Sequence, residues 1–162
     1  KYSYLIFDTD HIKVENQFQL TLPERNYKPD FVLTNYYGLK DIVEIKTHNV
    51  SVVKIDTDHN SLYFTPDFNK ALGQLQSYLK KSIFASNNDS QYFSSSKGII
   101  IIGQRKNDQK DNINKFICEN GKEKMTEYYK SLRDLKSSLY NIEVIYFDDI
   151  IEAMKIRLNK LI

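Results

Sequence analysis

Residues 25–48, RNYKPDFVLTNYYGLKDIVEIKTH, place two carboxylates and an ammonium where the pattern predicts paired strands. Asp30 opens the first run; Glu44 and Lys46 alternate with Val43 and Ile45 in the second. Charges inside a strand are costly to bury unless something pairs with them. Side chains alternate across a strand, so Glu44 and Lys46 share one face, about 7 Å apart along it. Val43, Ile45 and Thr47 take the other face, which suits a core. If the runs pair as a hairpin, Asp30 reaches the patch that holds Glu44. Two hard carboxylates converging on one spot are the usual protein share of a Mg²⁺ site. Such an ion lowers the pKa of a bound water and neutralises charge on a phosphoryl oxygen. A neighbouring ammonium can hold the attacking water or stabilise developing negative charge. Asp30, Glu44 and Lys46 together are a sufficient set for phosphodiester hydrolysis. Either half alone is commonplace: E-x-K often marks a solvated sheet face, and P-D often marks a turn. Their order and hairpin spacing carry the signal.

The elements that must hold these residues are legible as changes of period. Residues 2–7 and 12–22 read as strands, rich in aromatic and β-branched side chains. Residues 30–37 and 41–47 form the predicted hairpin, with Gly38 in its connection, and residues 50–55 are expected to continue the meander. The run TPDFNKALGQLQSYLKKSIF then repeats apolar residues at helical steps: Phe68, Leu72, Leu75, Leu79, Ile83. Thr65 fits its N-cap and Pro66 its first turn. Residues 87–96 read as a polar loop, and GIIIIG at 98–103 as a strand buried on both faces. Residues 104–112 are expected to be exposed. Met125, Tyr128, Leu132, Leu135 and Leu139 keep a second helical stripe. IEVIYF reads as a last strand. Asp148 or Asp149 is expected to cap a final helix with Ile151, Met154, Leu158 and Leu161 as its apolar positions. The order predicts the α/β class, with a mixed β-sheet flanked by helices.

At 162 residues the chain is expected to form a single domain. The net charge of +2 leaves any DNA contact to a local basic patch. One cysteine, Cys118, excludes an internal disulfide and a cysteine-based zinc site, and suits a reducing, cytoplasmic compartment. No apolar run approaches the roughly 20 residues of a membrane span, and no signal peptide is visible. No membrane partner is expected. The chain begins at Lys1 without methionine, as a fragment of a longer protein would, and residues 1–27 read as a variable, strand-rich lead-in.

PDF followed by VEIK resembles the PD-(D/E)xK nuclease superfamily. The resemblance implies a restriction-endonuclease-like fold, with Asp30 and Glu44 binding Mg²⁺, or Mn²⁺ as a substitute. It also implies the Ile45 carbonyl as a further ligand and Lys46 as the residue assisting catalysis. QLQSY, which holds Gln74 and Tyr78, is similar to the Q-x-x-x-Y motif of several branches and implies supporting roles for both. Four residues apart, they are neighbours on a helix surface. With KGIIIIGQRK and IEVIYFDDII added, residues 28–162 resemble the nuclease domain of the Shedu anti-phage defence proteins. Tyr146, Asp148, Asp149 and Ile150 stand in a Tyr-Asp-Asp-Leu-like turn, with Phe147 inserted. Two departures are visible. His48 follows Thr47 where the family often has proline, and no early acidic helix precedes Asp30, leaving Glu24 as a substitute. The resemblance implies a metal-dependent DNA endonuclease working as a homo-oligomer, a dimer or tetramer. Two alternatives stay open: another PD-(D/E)xK nuclease of restriction or recombination type, or a catalytically silent nucleic-acid-binding or assembly module.

Lesser signals are set against this reading. A second Pro-Asp-Phe, at 66–68, begins a helix and has no E-x-K after it, so Asp67 is assigned to the helix dipole. His11, His48 and His59 lack metal-ligand spacing; His48 is a candidate substrate contact beside Lys46. Lys80, Lys81, Lys97, Arg105 and Lys106 are candidate phosphate contacts, though each singly also fits a solvated face. The Met125–Leu139 stripe and the last helix are candidate subunit surfaces. Replacing Lys46 is expected to stop cleavage while sparing the fold.

Overall fold

The computed structural model describes residues 10–21, 26–56, 58–59, 61–84, 90–108 and 114–160, without the side chains of 90, 91 and 114–125. The strand expected at 2–7, Glu24, and the side chains of Cys118 and Met125 lie outside the described residues. In chain order the strands are β1 (His11–Asn16), β2 (Leu20–Thr21), β3 (Asn26–Tyr27), β4 (Phe31–Asn35), β5 (Lys40–Ile45), β6 (Val53–Asp56) and β7 (Ser61–Phe64). Then come α1 (Pro66–Ser82), a 3₁₀ turn (Ser90–Phe93), β8 (Gly98–Ile101), α2 (Arg105–Asp108), α3 (Asn114–Ser137), β9 (Ile142–Ile145) and α4 (Phe147–Asn159). The main sheet has the order β1-β4-β5-β8-β9, so the strand bearing Glu44 is central. β1, β4 and β5 pair antiparallel; β5, β8 and β9 pair parallel. The fold is mixed α/β, as expected.

The β4–β5 hairpin forms where predicted. The Asn35 side chain accepts the backbone N–H groups of Tyr37 and Leu39, and Gly38 takes φ +80 between them. Three expectations about strands are corrected. The run 12–22 breaks at Gln17, whose φ is 54, and β2 turns away to pair with β3. Residues 50–55 do not extend the meander. β8 already occupies the free edge of β5, so β6 pairs instead with β7, in a small hairpin that composition did not announce. The final strand ends at Ile145, and Tyr146 is the N-cap residue of α4. Asp148 and Asp149 lie inside the first turn of α4 and do not cap it. Residues 104–112, expected to be exposed, include buried Asp108, which accepts the Val52 N–H and the Tyr146 hydroxyl. That contact fastens the small hairpin to the main sheet.

The helix α1 forms as predicted. Thr65 Oγ1 accepts the Phe68 N–H, and Pro66 stands at the first turn. Its buried stripe, Phe68, Ala71, Leu75 and Tyr78, covers Val32, Ile42 and Ile100 of the sheet. Burying each large apolar side chain there is worth about 1.5–3 kcal/mol. The opposite face carries a smaller cluster, Leu33, Val43, Ile99 and Ile101, covered by Phe147 and Ile150. The expected core face of β5 is borne out, with Val43 buried and Ile45 packed beside it; the face holding Glu44, expected to be open, is covered as well, by the larger core. In α3, Tyr128 and Leu132 are buried, and Leu135, with Leu139 just past the helix end, packs on that same core, so the described part of this stripe is interior and not a subunit surface. In α4, Ile151 and Leu158, two of the apolar positions read from the sequence, are about half exposed. No helix among the described residues is long and apolar enough to cross a membrane.

Two glycines allow close approaches. A Cβ at Gly98 would lie 2.7 Å from Leu75 Cδ2, so its absence lets α1 settle onto β8. Gly103, at φ +65, would put a Cβ 2.6 Å from the Val50 carbonyl oxygen. Its N–H donates to Thr47 O and its carbonyl accepts from Phe147 N, so it ties β5 to α4. Gly103→Ala is expected to destabilise the fold by about 2–4 kcal/mol, from positive φ plus a backbone collision. Gly73→Ala, with open space around its Cβ, is expected to stabilise α1 by about 0.5–1 kcal/mol. Denaturant melts of the two variants check the pair.

Candidate active site

The hairpin register sets the first half of the site. Phe31 pairs with Val43 and Val32 with Ile42, so one step further Asp30 stands opposite Glu44. Asp30 is exposed and follows buried Pro29. Its Oδ2 accepts the Ile45 N–H at 2.7 Å, which satisfies a backbone donor beyond the end of β4. The carboxylate is thereby fixed at the mouth of the hairpin.

Glu44 is 3 % exposed, beneath α1. Its Oε1 accepts the Lys46 ammonium at 2.5 Å, while Oε2 is buried with no hydrogen-bond partner among the described residues. Burial pushes the Glu44 carboxyl above its ordinary pKa, and the nearby Asp30 charge adds to this. The hydrogen bond and charge of Lys46 oppose both. Lys46 also donates to Gln74 Oε1 at 2.9 Å. An ammonium only donates, so the Gln74 oxygen must face it and the amide nitrogen must point away. That nitrogen donates to the Tyr78 hydroxyl at 2.8 Å. Tyr78 in turn points at the Lys28 carbonyl, 3.5 Å away and two residues before Asp30. The chain of contacts Glu44–Lys46–Gln74–Tyr78 therefore starts on the central strand and closes beside the residue that opens the hairpin. The sequence-predicted residues Asp30, Glu44, Ile45, Lys46, Gln74 and Tyr78 are brought to one place.

The other predicted residues stand apart. Lys80 is exposed in the last turn of α1. Lys81 donates to the Tyr27 hydroxyl and lies 3.9 Å from that ring's centroid. Arg105 is held by Asp149 through two hydrogen bonds, at 2.5 and 2.8 Å, and its N–H donates to Asp148. Lys106 is exposed beside it in α2. Lys97 precedes β8, at the opposite end of the parallel strands from Lys46. His48 is exposed, its ring edge-on to Phe147 with centroids 6.1 Å apart. No cluster of three or more His, Cys, Asp or Glu able to hold a metal occurs among the described residues.

A cavity of about 190 Å³ opens beside Lys46, lined also by Thr47, Val50, Asp67, Lys70, Ala71 and Ile102. Sequence reasoning placed Asp67 at the helix start, where it is, and missed that it faces this cavity. Lys70 was missed altogether. The available signal was spacing: Lys70 lies one turn before Gln74, on the same face of α1.

A mixed sheet bringing two carboxylates, a lysine and a glutamine–tyrosine pair to one end of its central strand is a nuclease-like α/β fold. The chain belongs to the family described as Shedu protein SduA, C-terminal, whose model matches residues 2–151. This membership supports a part in anti-phage defence. No curated protein matches the chain.

The burial of Glu44 changes what replacing Lys46 should do. Lys46→Ala deprives a buried carboxylate of its donor and counter-charge. A destabilisation of about 1–2 kcal/mol is expected at about pH 8. A carboxyl whose pKa is raised on folding favours the fold while protonated and loses that advantage as pH rises through the raised value. The Lys46→Ala penalty should therefore shrink as the pH falls toward the ordinary carboxylate range. Adding Glu44→Gln should remove most of it. Thermal melts of the single and double variants across pH, in EDTA, check both points.

Proposed function

We propose that this chain is a metal-dependent DNA endonuclease domain acting in anti-phage defence. The observation that carries this reading is the pairing of buried Glu44 with half-buried Lys46, held by Gln74, with Glu44 opposite Asp30. Asp30, Glu44 and the Ile45 carbonyl are the oxygen donors that would hold Mg²⁺, with Mn²⁺ as a substitute. The residues fit such an ion: Glu44 Oε2 is a buried acceptor without a hydrogen-bond partner among the described residues. Two carboxylates suit a cation that keeps several waters. When bound, the ion supplies Lewis-acid activation of water and charge neutralisation at a phosphoryl oxygen.

The chain's own residues divide the remaining work. Lys46 has three N–H donors and directs two of them at Glu44 and Gln74. The third is free to orient the attacking water or to meet negative charge developing on the phosphoryl oxygen. Gln74 fixes the lysine's direction, and Tyr78 fixes Gln74. Asp30, bound to the Ile45 N–H through one oxygen, presents the other at the exposed rim. Self-association belongs to the same reading, since one site cuts one strand and two are needed for both. The exposed apolar residues Ile151, Ile156 and Leu158 of α4 support that helix as the contact surface.

Plasmid and linear DNA should be cut with Mg²⁺ or Mn²⁺ and left intact in excess EDTA. Asp30→Asn, and Lys46→Ala assayed where it remains folded, should each lower the rate by about 10²-fold or more. Undiminished cleavage in EDTA would overturn the metal mechanism, and a Lys46 variant within a few-fold of wild type would remove the lysine from it.

Light scattering at tens of micromolar should give the mass of a dimer or tetramer. Ile151→Glu with Leu158→Glu should reduce it to that of a monomer. A monomeric wild type would take assembly away from these residues.

A further inference from the structure

Lys70 is exposed on the first turns of α1, and its ammonium makes no ion pair or hydrogen bond among the described residues. It shares the cavity beside Lys46 with Asp67 and Thr47, over an apolar floor that includes Val50 and Ile102. The geometry points to this cavity as the seat of the nucleotide next to the one being cut, with Lys70 on that nucleotide's phosphate. This assignment rests on the nuclease reading above and names the side of the site along which the substrate strand leaves.

Three observations carry it. The first is size: about 190 Å³ is the liquid volume of roughly six waters, room for a sugar-phosphate unit and far too little for a duplex. The second is position. Gln74 and Tyr78 run from Lys46 toward Lys28 and Asp30, whereas Lys70 and Asp67 extend along α1 in the other direction. The cavity thus continues the site on the flank away from Asp30. The third is charge. Lys46 gives two of its three donors to Glu44 and Gln74 and keeps the third for the reacting group, so Lys70 is the ammonium in this cavity left for the neighbouring phosphate. The first turn of α1 adds its positive end to the same wall. Lys80 and Lys81 lie two turns beyond Gln74, and Lys81 is already engaged by Tyr27. Lys70 is therefore better placed than either for a phosphate near the reacting atoms.

Asp67 supplies the opposing sign. Its carboxylate lines the same cavity and works against an anion there, so it sets how tightly the phosphate is held. The two neighbours should respond oppositely to neutralisation, which a merely structural role would not produce.

The test is fluorescence anisotropy of a short labelled duplex in EDTA, where no cleavage interferes, repeated at several salt concentrations. Lys70→Ala should weaken binding about fivefold or more at low salt and reduce the slope of log affinity against log salt by about one. Lys70→Arg should restore both, and Asp67→Asn should tighten binding. Melting temperatures of Lys70→Ala and Lys70→Arg should match wild type, because the side chain is exposed. Absence of wild-type binding, Lys70→Ala binding within twofold of wild type, or Lys70→Ala and Asp67→Asn shifting affinity in the same direction would overturn the assignment. A protein that binds in this pattern but leaves DNA uncut in Mg²⁺ would retain the cavity and lose the nuclease reading. A protein that cuts DNA with Lys70→Ala indistinguishable in binding and rate would do the reverse.

Discussion

A carboxylate buried between a sheet and a helix has to be paired, and much of this molecule's architecture serves that requirement. Glu44 sits under α1 at 3 % exposure, on the face of the sheet with the larger core. An isolated charge there would be driven to its neutral form. Lys46 supplies the counter-charge from two residues along the same strand, where the pleat brings both side chains to one face. Lys46 has a flexible stem of four carbons, so its direction needs a third group. Gln74 supplies it from the helix above. The pair cannot be moved without moving α1, and α1 cannot be lifted without stripping the pair.

The close fit of α1 follows from the same demand. A glutamine side chain reaches only a few ångströms past the helix surface, so the helix must lie low on the sheet. Gly98 permits this, because any Cβ there would strike Leu75. The parallel β5–β8 pairing then matters for a second reason. It carries β8 to Gly103, whose contacts with Thr47 and Phe147 tie the end of β5 to α4. On the other side, Asp30 closes the hairpin by taking the Ile45 N–H. The end of the central strand is thus held from above by α1, laterally by β8, and across the hairpin by Asp30.

What the sequence revealed and what it concealed follow from the range of the interactions concerned. The hairpin, the helix over Gln74 and the convergence of Asp30, Glu44 and Lys46 are local or near-local, so period and turn residues announced them. The Asn35–Gly38 turn, the Thr65 cap and the leucine stripe of α1 all act within a few residues. Competition for the edge of β5 is not local. Residues 50–55 look like a third meander strand until β8, some fifty residues later, takes that edge. The burial of Asp108 was hidden for the same reason, since its partners Val52 and Tyr146 are distant in sequence. Asp148 and Asp149 looked like caps by position, but Arg105 from α2 draws both. The covering of the Glu44 face of β5 was invisible because alternation tells which residues share a face, not what covers it.

The burial that makes Glu44 costly to hold also explains how it could serve chemistry. A well-solvated carboxylate would have its charge screened and both oxygens hydrated. Here one oxygen is committed to Lys46 and the other is buried without a hydrogen-bond partner among the described residues. Burial raises the Glu44 carboxyl's pKa, a force that Lys46 only partly offsets. Under the proposed reading, a divalent cation meeting that oxygen and Asp30 would relieve the frustration, because a metal favours the charged form that burial disfavours. The apo site would be the less comfortable state of the protein, and part of the ion's binding free energy would come from ending that discomfort. A solvated pair of acids could bind the same ion, but it would lack that incentive, and its lysine would have no reason to be held in place.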